Sequence, residues 1–183
     1  PTLLDLYEAI KPYTIYCDMD GVLCDFDQGY EKLTGESTDE ANAKGKSYFW
    51  KLFRESVGKN EKDFWANLPW QLGGEKLWNY IKSSSPNILS APAVDFNLPQ
   101  DQQLNPEFNQ AIQGKKEWIS KHLNGVNKEI FVPAPQKSTF ATSKHILIDD
   151  MQKNIDAWNA AGGKSILHTS ALKTIEDLKK YNL

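Results

Sequence analysis

The sequence has few of the features that mark zinc-binding and membrane proteins. It contains only two cysteines, Cys17 and Cys24, and three histidines that share no spacing. It therefore has no Cys/His cluster of the kind that binds zinc. No apolar run approaches the roughly 20 residues that a membrane-spanning helix needs. We interpret the two cysteines as buried, reduced thiols.

Basic residues are too few to hold a long polyanion. The 21 lysines and arginines are outnumbered by 24 acidic residues, which gives a formal net charge of −3. No basic stripe is present to bind long nucleic acid by counterion release. Small anions remain acceptable ligands, because a local pocket can be positive on an acidic protein. The N-terminus lacks the basic and then apolar layout of a signal peptide, so we expect a cytoplasmic protein.

Strand-like and helix-like segments alternate along the chain. Apolar runs typical of strands lie at 14–17, 85–92, 129–132, 145–150 and 165–168, and a short helix is predicted before them at 2–10. Such alternation implies a parallel sheet wound with helices. The predicted fold class is therefore α/β, a Rossmann-like parallel sheet flanked by helices. With 183 residues the chain is long enough for one core with an insertion.

The stretch from 26 to 83 interrupts this alternation. Its apolar spacing predicts helical segments around Gln28–Leu33, Ser47–Val57, Glu61–Ala66 and Glu75–Ile81. We therefore predict a small helical cap at 26–83, inserted after the first strand of a core formed by 1–25 and 84–183. The cap is rich in aromatic residues, and our interpretation is that most of them form its own small core.

Two carboxylates follow the first strand. Asp18 and Asp20 are separated by one residue, and Gly21 comes next. The carboxyl ends of parallel strands form the crevice where such folds bind ligands, and glycine allows a sharp turn there. Carboxylates this close repel one another unless a cation or a shared proton relieves them, and Mg²⁺ takes carboxylate and phosphate oxygens. The alternative is an Asp-Gly turn with a solvated acidic neighbour.

Complementary groups lie near the ends of other predicted strands. Ser90 lies at the end of the second strand, Asp149 and Asp150 end the fourth, and Lys115 lies in a helix between them. Together with the first acid pair, this set provides what phosphoryl transfer needs: a carboxylate nucleophile, a proton donor, a hydroxyl, a cation and a distal acid. Without that context, a lysine on a helix is usually part of a solvated face.

Four motifs carry a family resemblance. DMDGVL, ILSAP, GKKEW and LIDD resemble the motifs of the haloacid dehalogenase (HAD) superfamily of phosphohydrolases. The run DMDGVLCDF, the spacing of Lys115 and Trp118, and ILIDD more closely resemble the 5'-nucleotidases of the cytosolic and mitochondrial 5'(3')-deoxyribonucleotidase type, which also carry a helical cap after the first strand. The resemblance implies a Mg²⁺-dependent phosphomonoesterase acting on nucleoside 5'-monophosphates. The net charge and the lack of a long apolar run predict no long nucleic acid and no membrane among its partners. A homodimer is one option for its assembly.

Two alternative functions stay open. The chain could be a HAD phosphatase for another small phosphate, such as a sugar phosphate, or a non-catalytic phosphate-binding protein. A cap dense in aromatic residues favours a flat base, which can stack, over a hydroxyl-rich sugar.

The resemblance also implies roles for the acidic residues. Asp18 is the nucleophile that forms an aspartyl-phosphate, and Asp20 protonates the leaving alcohol and then deprotonates water. Asp18, Asp20 through its backbone carbonyl, and Asp150 hold the magnesium ion. Asp149 is a supporting residue that orients Lys115 or a metal-bound water.

The remaining roles concern the substrate. Lys115, chosen over Lys116 by its spacing to Trp118, neutralises the phosphoryl oxygens together with Ser90, and Lys137 adds a second positive charge. Phe26 lines the base pocket by resemblance. At least one of Phe64 and Trp65, late in the cap, is predicted to form the wall opposite Phe26, so that the base is held between two aromatic faces.

Overall fold

A five-stranded parallel sheet forms the centre of the protein. The computed structural model describes residues 2–3, 13–94 and 99–183. In these residues the strand order is β3-β2-β1-β4-β5. The strands are β1 (Thr14–Cys17), β2 (Asn87–Ser90), β3 (Glu129–Phe131), β4 (His145–Asp149) and β5 (Lys164–Leu167). The predicted α/β class, with a parallel sheet flanked by helices, is confirmed. Most of the helix predicted at 2–10 lies outside the described residues.

Helices precede, separate and follow the later strands. They are α1 (Phe26–Thr34), α2 (Thr38–Ala43), α3 (Lys46–Val57), α4 (Glu61–Ala66), α5 (Gly74–Ile81), α6 (Gln110–His122), α7 (Gln152–Ala160) and α8 (Ala171–Lys179), with 3₁₀ helices at Lys82–Ser84 and Ala134–Phe140. None of the helices in the described part of the chain is long and apolar enough to cross a membrane.

Helix α2 is absent from the predictions because it has almost no apolar side. Only Ala41 is buried in it. The helix begins instead with a capping box, in which Ser37 and Glu40 each accept a hydrogen bond from the other's backbone N–H. Such a box stabilises a helix start without any apolar periodicity.

The central strand β1 is buried on both faces, as expected of a parallel sheet covered by helices. Ile15 and Cys17 belong to the larger apolar core, which includes Trp118 of α6 and Leu178 of α8. Tyr16 points to the other face, where its ring centroid lies 5.4 Å from that of Trp158 in α7. The alternation of side chains along β1 therefore places helices on both faces of the sheet.

The aromatic rings of the region inserted between β1 and β2 pack on one another. Tyr30 of α1 stacks on Phe49 of α3 with centroids 4.4 Å apart, and Phe53 meets the edge of Phe64 at 5.0 Å. Helix α5 packs instead against α8. Tyr80, next to the end of α5, donates a hydrogen bond from its hydroxyl to the carbonyl of Leu183 at 2.7 Å. The boundary between core and cap at 83 stays a prediction.

Helix α4 of the insertion lies directly against α6 of the core. A Cβ atom on Gly114 would stand only 2.6 Å from Cβ of Trp65 and would also overlap the carbonyl oxygen of Lys62. Glycine at this position therefore allows the two helices to approach closely. As a result, Trp65 lies beside Lys115, the next residue of α6.

Candidate active site

A tight turn after β1 presents the first acid pair. Three successive amides, those of Val22, Leu23 and Cys24, donate to the carbonyl of Met19 at 3.2, 2.8 and 3.0 Å. Gly21 has a φ of 73° in this turn, a conformation that costs other residues free energy. A Cβ at the same position would also overlap the carboxylate of Asp150. The turn therefore needs glycine both for its backbone and for the approach of Asp150.

Three carboxylates meet where β1 and β4 end. Asp18, Asp149 and Asp150 each offer an oxygen, and these oxygens lie within 4.8 Å of one another. Burial, together with the charges of neighbouring carboxylates, raises the pKa of Asp149 to about 6 and that of Asp150 to about 7. A divalent cation relieves such repulsion, and hard carboxylate oxygens are the ligands that Mg²⁺ prefers. These three carboxylates are therefore suitable ligands for the predicted magnesium ion.

Three hydrogen-bond donors fix the carboxylate of Asp149 within the cluster. Lys137 donates to its Oδ2 at 2.7 Å, the amide of Met151 to its Oδ1 at 2.9 Å, and the side chain of Asn154 to both oxygens at 3.0 Å. This bonding supports a role in orienting its neighbours. The prediction that Asp149 orients Lys115 is wrong, because its lysine partner is Lys137.

Lys137 links the two strand ends. It lies in the 3₁₀ helix Ala134–Phe140 and is 2 % exposed, with Nζ 2.8 Å from Asp18 and 2.7 Å from Asp149. Burial by itself lowers the pKa of Lys137, but the charges of Asp18 and Asp149 outweigh it and the net pKa is raised. A protonated ammonium group thus stands beside the predicted nucleophile.

Lys115 occupies a different place. It is fully buried in α6, and its Nζ donates to Oδ2 of Asp20 at 2.5 Å and to Oγ of Ser90 at 2.9 Å. Lys116 is about half exposed and lies 3.9 Å from Glu129. The structure therefore brings Lys115 into the site and leaves Lys116 outside it. Each acid of the first pair therefore has its own buried lysine, because Lys137 contacts Asp18 and Lys115 contacts Asp20.

A cavity of about 460 Å³ opens onto these groups. Its lining includes Asp18, Asp20, Lys137 and Asp150 of the site. It also includes three aromatic and four polar side chains: Phe26, Phe49, Trp50, Asp27, Thr38, Asp39 and Asn42. A volume of this size suits a small ligand. Neither Ser90 nor Lys115 lines this cavity. Both are buried, and Lys115 connects Ser90 to Asp20.

Comparisons with known proteins identify the fold. No protein-family model and no curated protein matches the sequence. Among solved structures, a hydrolase from Streptococcus pneumoniae TIGR4 is 17 % identical, with 93 % of this chain and 100 % of that chain covered and a TM-score of 0.51. A HAD family hydrolase from Deinococcus radiodurans R1, determined with bound phosphate and sodium, is 13 % identical over 94 % of this chain and 97 % of that one, with a TM-score of 0.50. The chain has the fold of the HAD hydrolases.

Within this HAD fold, the predicted pair of base-pocket walls has a different arrangement. Phe26 and Trp65 stack directly on each other, with centroids 5.2 Å apart and an angle of 19° between their planes. A base between two rings would hold them about twice as far apart as two stacked rings, so the predicted sandwich between Phe26 and Trp65 is wrong for this structure. Phe64 meets Phe26 edge-on and does not line the cavity. Phe26 lines the cavity, whereas Trp65 is 2 % exposed and lies behind it.

The sequence predictions do not include the other aromatic residues of the cavity. Phe49 and Trp50 of α3 complete the wall with Phe26. They are adjacent in a helix whose apolar residues mostly pack inside the insertion, so no spacing distinguishes them from core residues. Only the position of α3 over the strand ends brings them to the cavity.

Replacing Gly21 with alanine tests the approach of Asp150 to the turn after β1. We expect the Mg²⁺ concentration for half-maximal activity to rise about tenfold or more, because the new methyl group displaces the Asp150 carboxylate. The strained backbone costs a further ~1–2 kcal/mol of stability. Mg²⁺ titration of activity, together with thermal unfolding, measures the two effects separately.

Gly35→Ala is the matched control. Gly35 has a similar φ of 78°, but a Cβ there meets nothing within 4 Å. This control should lose stability and keep its Mg²⁺ dependence. Equal Mg²⁺ dependence in the two variants would contradict the role assigned to the contact between Gly21 and Asp150.

Proposed function

We propose that this protein is a Mg²⁺-dependent phosphomonoesterase that hydrolyses nucleoside 5'-monophosphates. The observation that carries the proposal is the cavity, whose lining combines Asp18, Asp20, Lys137 and Asp150 with the aromatic rings of Phe26, Phe49 and Trp50. The charged groups suit a phosphoryl group, and the aromatic rings suit a flat base. A cavity of about 460 Å³ holds one small molecule rather than a polymer.

The first step forms a covalent intermediate on Asp18. A carboxylate oxygen of Asp18 bonds to phosphorus while the bond from phosphorus to the ester oxygen breaks. Asp20, which also lines the cavity, gives a proton to the departing alcohol. Lys137 lies 2.8 Å from Asp18 and neutralises part of the charge that gathers there.

The second step releases phosphate. Asp20, now deprotonated, takes a proton from a water molecule, whose oxygen attacks phosphorus and frees the Asp18 carboxylate. Asp18, Asp150 and the backbone carbonyl of Asp20 would hold a magnesium ion, which would supply positive charge for the nucleophile and the phosphoryl oxygens. Asp149 and Asn154 keep Lys137 and the start of α7 in place.

The aromatic wall supports a nucleotide over a sugar phosphate. Phe26, Phe49 and Trp50 provide ring faces or edges on which a base can stack, at roughly 1–3 kcal/mol per partner. Asn42 and Thr38, which also line the cavity, can exchange hydrogen bonds with the base edge. A sugar phosphate remains the second candidate, since these polar groups can also bind hydroxyls.

A substrate panel tests the proposal. Purified protein is assayed with nucleoside 5'-monophosphates, sugar phosphates and p-nitrophenyl phosphate, with Mg²⁺ and with a chelator. We expect nucleoside 5'-monophosphates to have the highest kcat/KM and all activity to be lost with the chelator. A preference for sugar phosphates would favour the second candidate, and no turnover of any phosphate ester would contradict phosphatase function.

A variant of the wall separates base binding from chemistry. Trp50→Ala should raise KM for nucleoside 5'-monophosphates about 10-fold, within the range expected for one stacking partner, and leave kcat/KM for p-nitrophenyl phosphate nearly unchanged. Trp50 is chosen because it lines the cavity and is only partly buried, and thermal unfolding is measured beside the kinetics because its ring also packs on Phe49 and Phe53. Tyr48→Ala, on the same helix but outside the cavity lining, is the control. Parallel losses on both substrates would mean that Trp50 only packs the cap.

A further inference from the structure

Lys115 is a buried cation that the mechanism above does not use. Its side chain is 1 % exposed and does not line the cavity. A charge is costly to bury unless it is paired, and this one is paired with the carboxylate of Asp20. The other lysine of the site, Lys137, already serves Asp18. The position of Lys115 therefore indicates that it acts on Asp20.

The three hydrogen-bond directions of the Lys115 ammonium group are all taken. An ammonium has three donors. One is used by Asp20 at 2.5 Å and one by Ser90 at 2.9 Å. The third direction is covered by the ring of Trp65, whose centroid lies 4.7 Å from Nζ in a cation–π contact. No donor remains for a phosphoryl oxygen.

Both carboxylate oxygens of Asp20 accept hydrogen bonds from buried groups. The thiol of Cys24 donates to Oδ1 at 3.4 Å, and Lys115 donates to Oδ2. Burial raises the pKa of Cys24 well above its usual value, so this thiol keeps its proton and acts as a donor. Thiols are weak donors compared with an ammonium. Asp20 is thus fixed strongly at one oxygen and weakly at the other, while 29 % of its side chain stays exposed.

We propose that Lys115 is a positioning residue for Asp20, the acid and base of the proposed reaction. Its ammonium group fixes Oδ2 of Asp20 and leaves Oδ1 to carry the proton that passes to the leaving group. Trp65 of α4 covers Lys115, so the close packing of α4 on α6 maintains this arrangement. The inference rests on the proposed phosphatase function and adds to it a second lysine that acts on the leaving group rather than on the phosphate.

The leaving group provides the test. An alkyl phosphate needs a proton on its departing oxygen, whereas p-nitrophenolate leaves without one. General acid catalysis contributes about 10²–10⁴-fold where it is needed. In Lys115→Met we therefore expect kcat/KM to fall about 100-fold for an alkyl phosphate and by less than about 10-fold for p-nitrophenyl phosphate. The ratio of the two values is the readout, because kcat/KM reports the step that forms the intermediate on Asp18.

A double-mutant cycle shows whether Lys115 acts through Asp20. Asp20→Asn removes the proton donor and should lower the same ratio. Adding Lys115→Met to Asp20→Asn should then change the ratio by less than about twofold, because the group that Lys115 positions is already lost. Inhibition by inorganic phosphate gives a second measurement, and its inhibition constant should stay within about threefold in Lys115→Met. Lys116→Met is the matched control and should match the wild type in all assays.

Each outcome decides the inference. Equal losses on both substrates, with phosphate inhibition weakened in parallel, would show direct contact of Lys115 with the phosphoryl group and overturn it. If Lys115→Met does not fold by circular dichroism, Lys115→Gln, which keeps a donor, is measured in the same way and should give a ratio at least about threefold below the wild type. An unchanged ratio in the folded variant also overturns the inference. Failure of the wild type to hydrolyse either substrate would instead contradict the proposed function.

Discussion

Asp18→Asn is expected to lower turnover by about 10⁴-fold or more without unfolding the protein, a loss in the range seen when a nucleophile is removed from other enzymes. The amide has nearly the shape of the carboxylate but does not attack phosphorus. One oxygen remains to accept the hydrogen bond from Lys137, which now contacts Asp18 at 2.8 Å. The change also removes one negative charge from the three-carboxylate cluster, so part of the lost pairing energy is offset.

Turnover of the best substrate in the panel, measured with saturating Mg²⁺, checks this result. Thermal unfolding of the same sample establishes that the variant is folded. Asp156→Asn is a suitable control, because Asp156 is an exposed carboxylate of α7 that accepts a hydrogen bond from Gln152 and lies outside the cavity lining. Turnover within about tenfold of the wild type in a folded Asp18→Asn protein would remove Asp18 from the role of nucleophile.

The sheet could be predicted from the sequence because each strand is a short apolar run that ends at a polar residue. Residues such as Ile146 and Ile148 are fully buried, and the polar residue Asp149 comes directly after them at the end of the strand. The parallel arrangement then places Asp18, Ser90 and Asp149 near one edge without any knowledge of distances. The same logic does not reveal α2, whose stability depends on its capping box rather than on an apolar face.

The pairing of lysines with acids could not be predicted in this way. Asp20 and Lys115 are 95 residues apart, and Asp149 and Lys137 only 12, yet both pairs are in direct contact. Sequence spacing gives no information about which lysine faces which acid, because that depends on how α6 and the 3₁₀ helix Ala134–Phe140 reach the sheet edge. The family resemblance directed attention to Lys115, and the neighbourhood of Asp18 is occupied by Lys137 instead.

The stacking of Phe26 on Trp65 has a similar explanation. The sequence shows that both rings lie in the insertion, but a sandwich around a base and direct stacking require the same residue types. The close approach of α4 to α6 at Gly114 decides between them, because it draws Trp65 away from the cavity and towards Lys115. The wall that faces the cavity is then formed by Phe26 with residues of α3.

Lys137→Met is expected to lower kcat by about 10²–10³-fold, comparable with the removal of one preorganised donor from an active site. The methionine has a similar length and no charge, so it leaves Asp18 and Asp149 without the cation that now lies 2.8 and 2.7 Å from them. A buried charge that loses its partner destabilises a protein by about 3–5 kcal/mol. The variant should therefore be slower when Mg²⁺ is present, and it should be less stable when no metal is present.

Mg²⁺ should offset part of the loss of stability but not the loss of rate. In Lys137→Met the ion becomes the principal positive charge facing the carboxylate cluster, so its addition should raise the melting temperature more than it does in the wild type. The rate should stay low, because the ion does not replace the ammonium group beside the nucleophile. Lys144→Met, at an exposed position just before β4, is the control and should show wild-type behaviour in both assays. A full recovery of kcat at high Mg²⁺ would show that Lys137 only balances charge in the folded state, and the electrostatic part of the proposed mechanism would then have to be assigned to the metal alone.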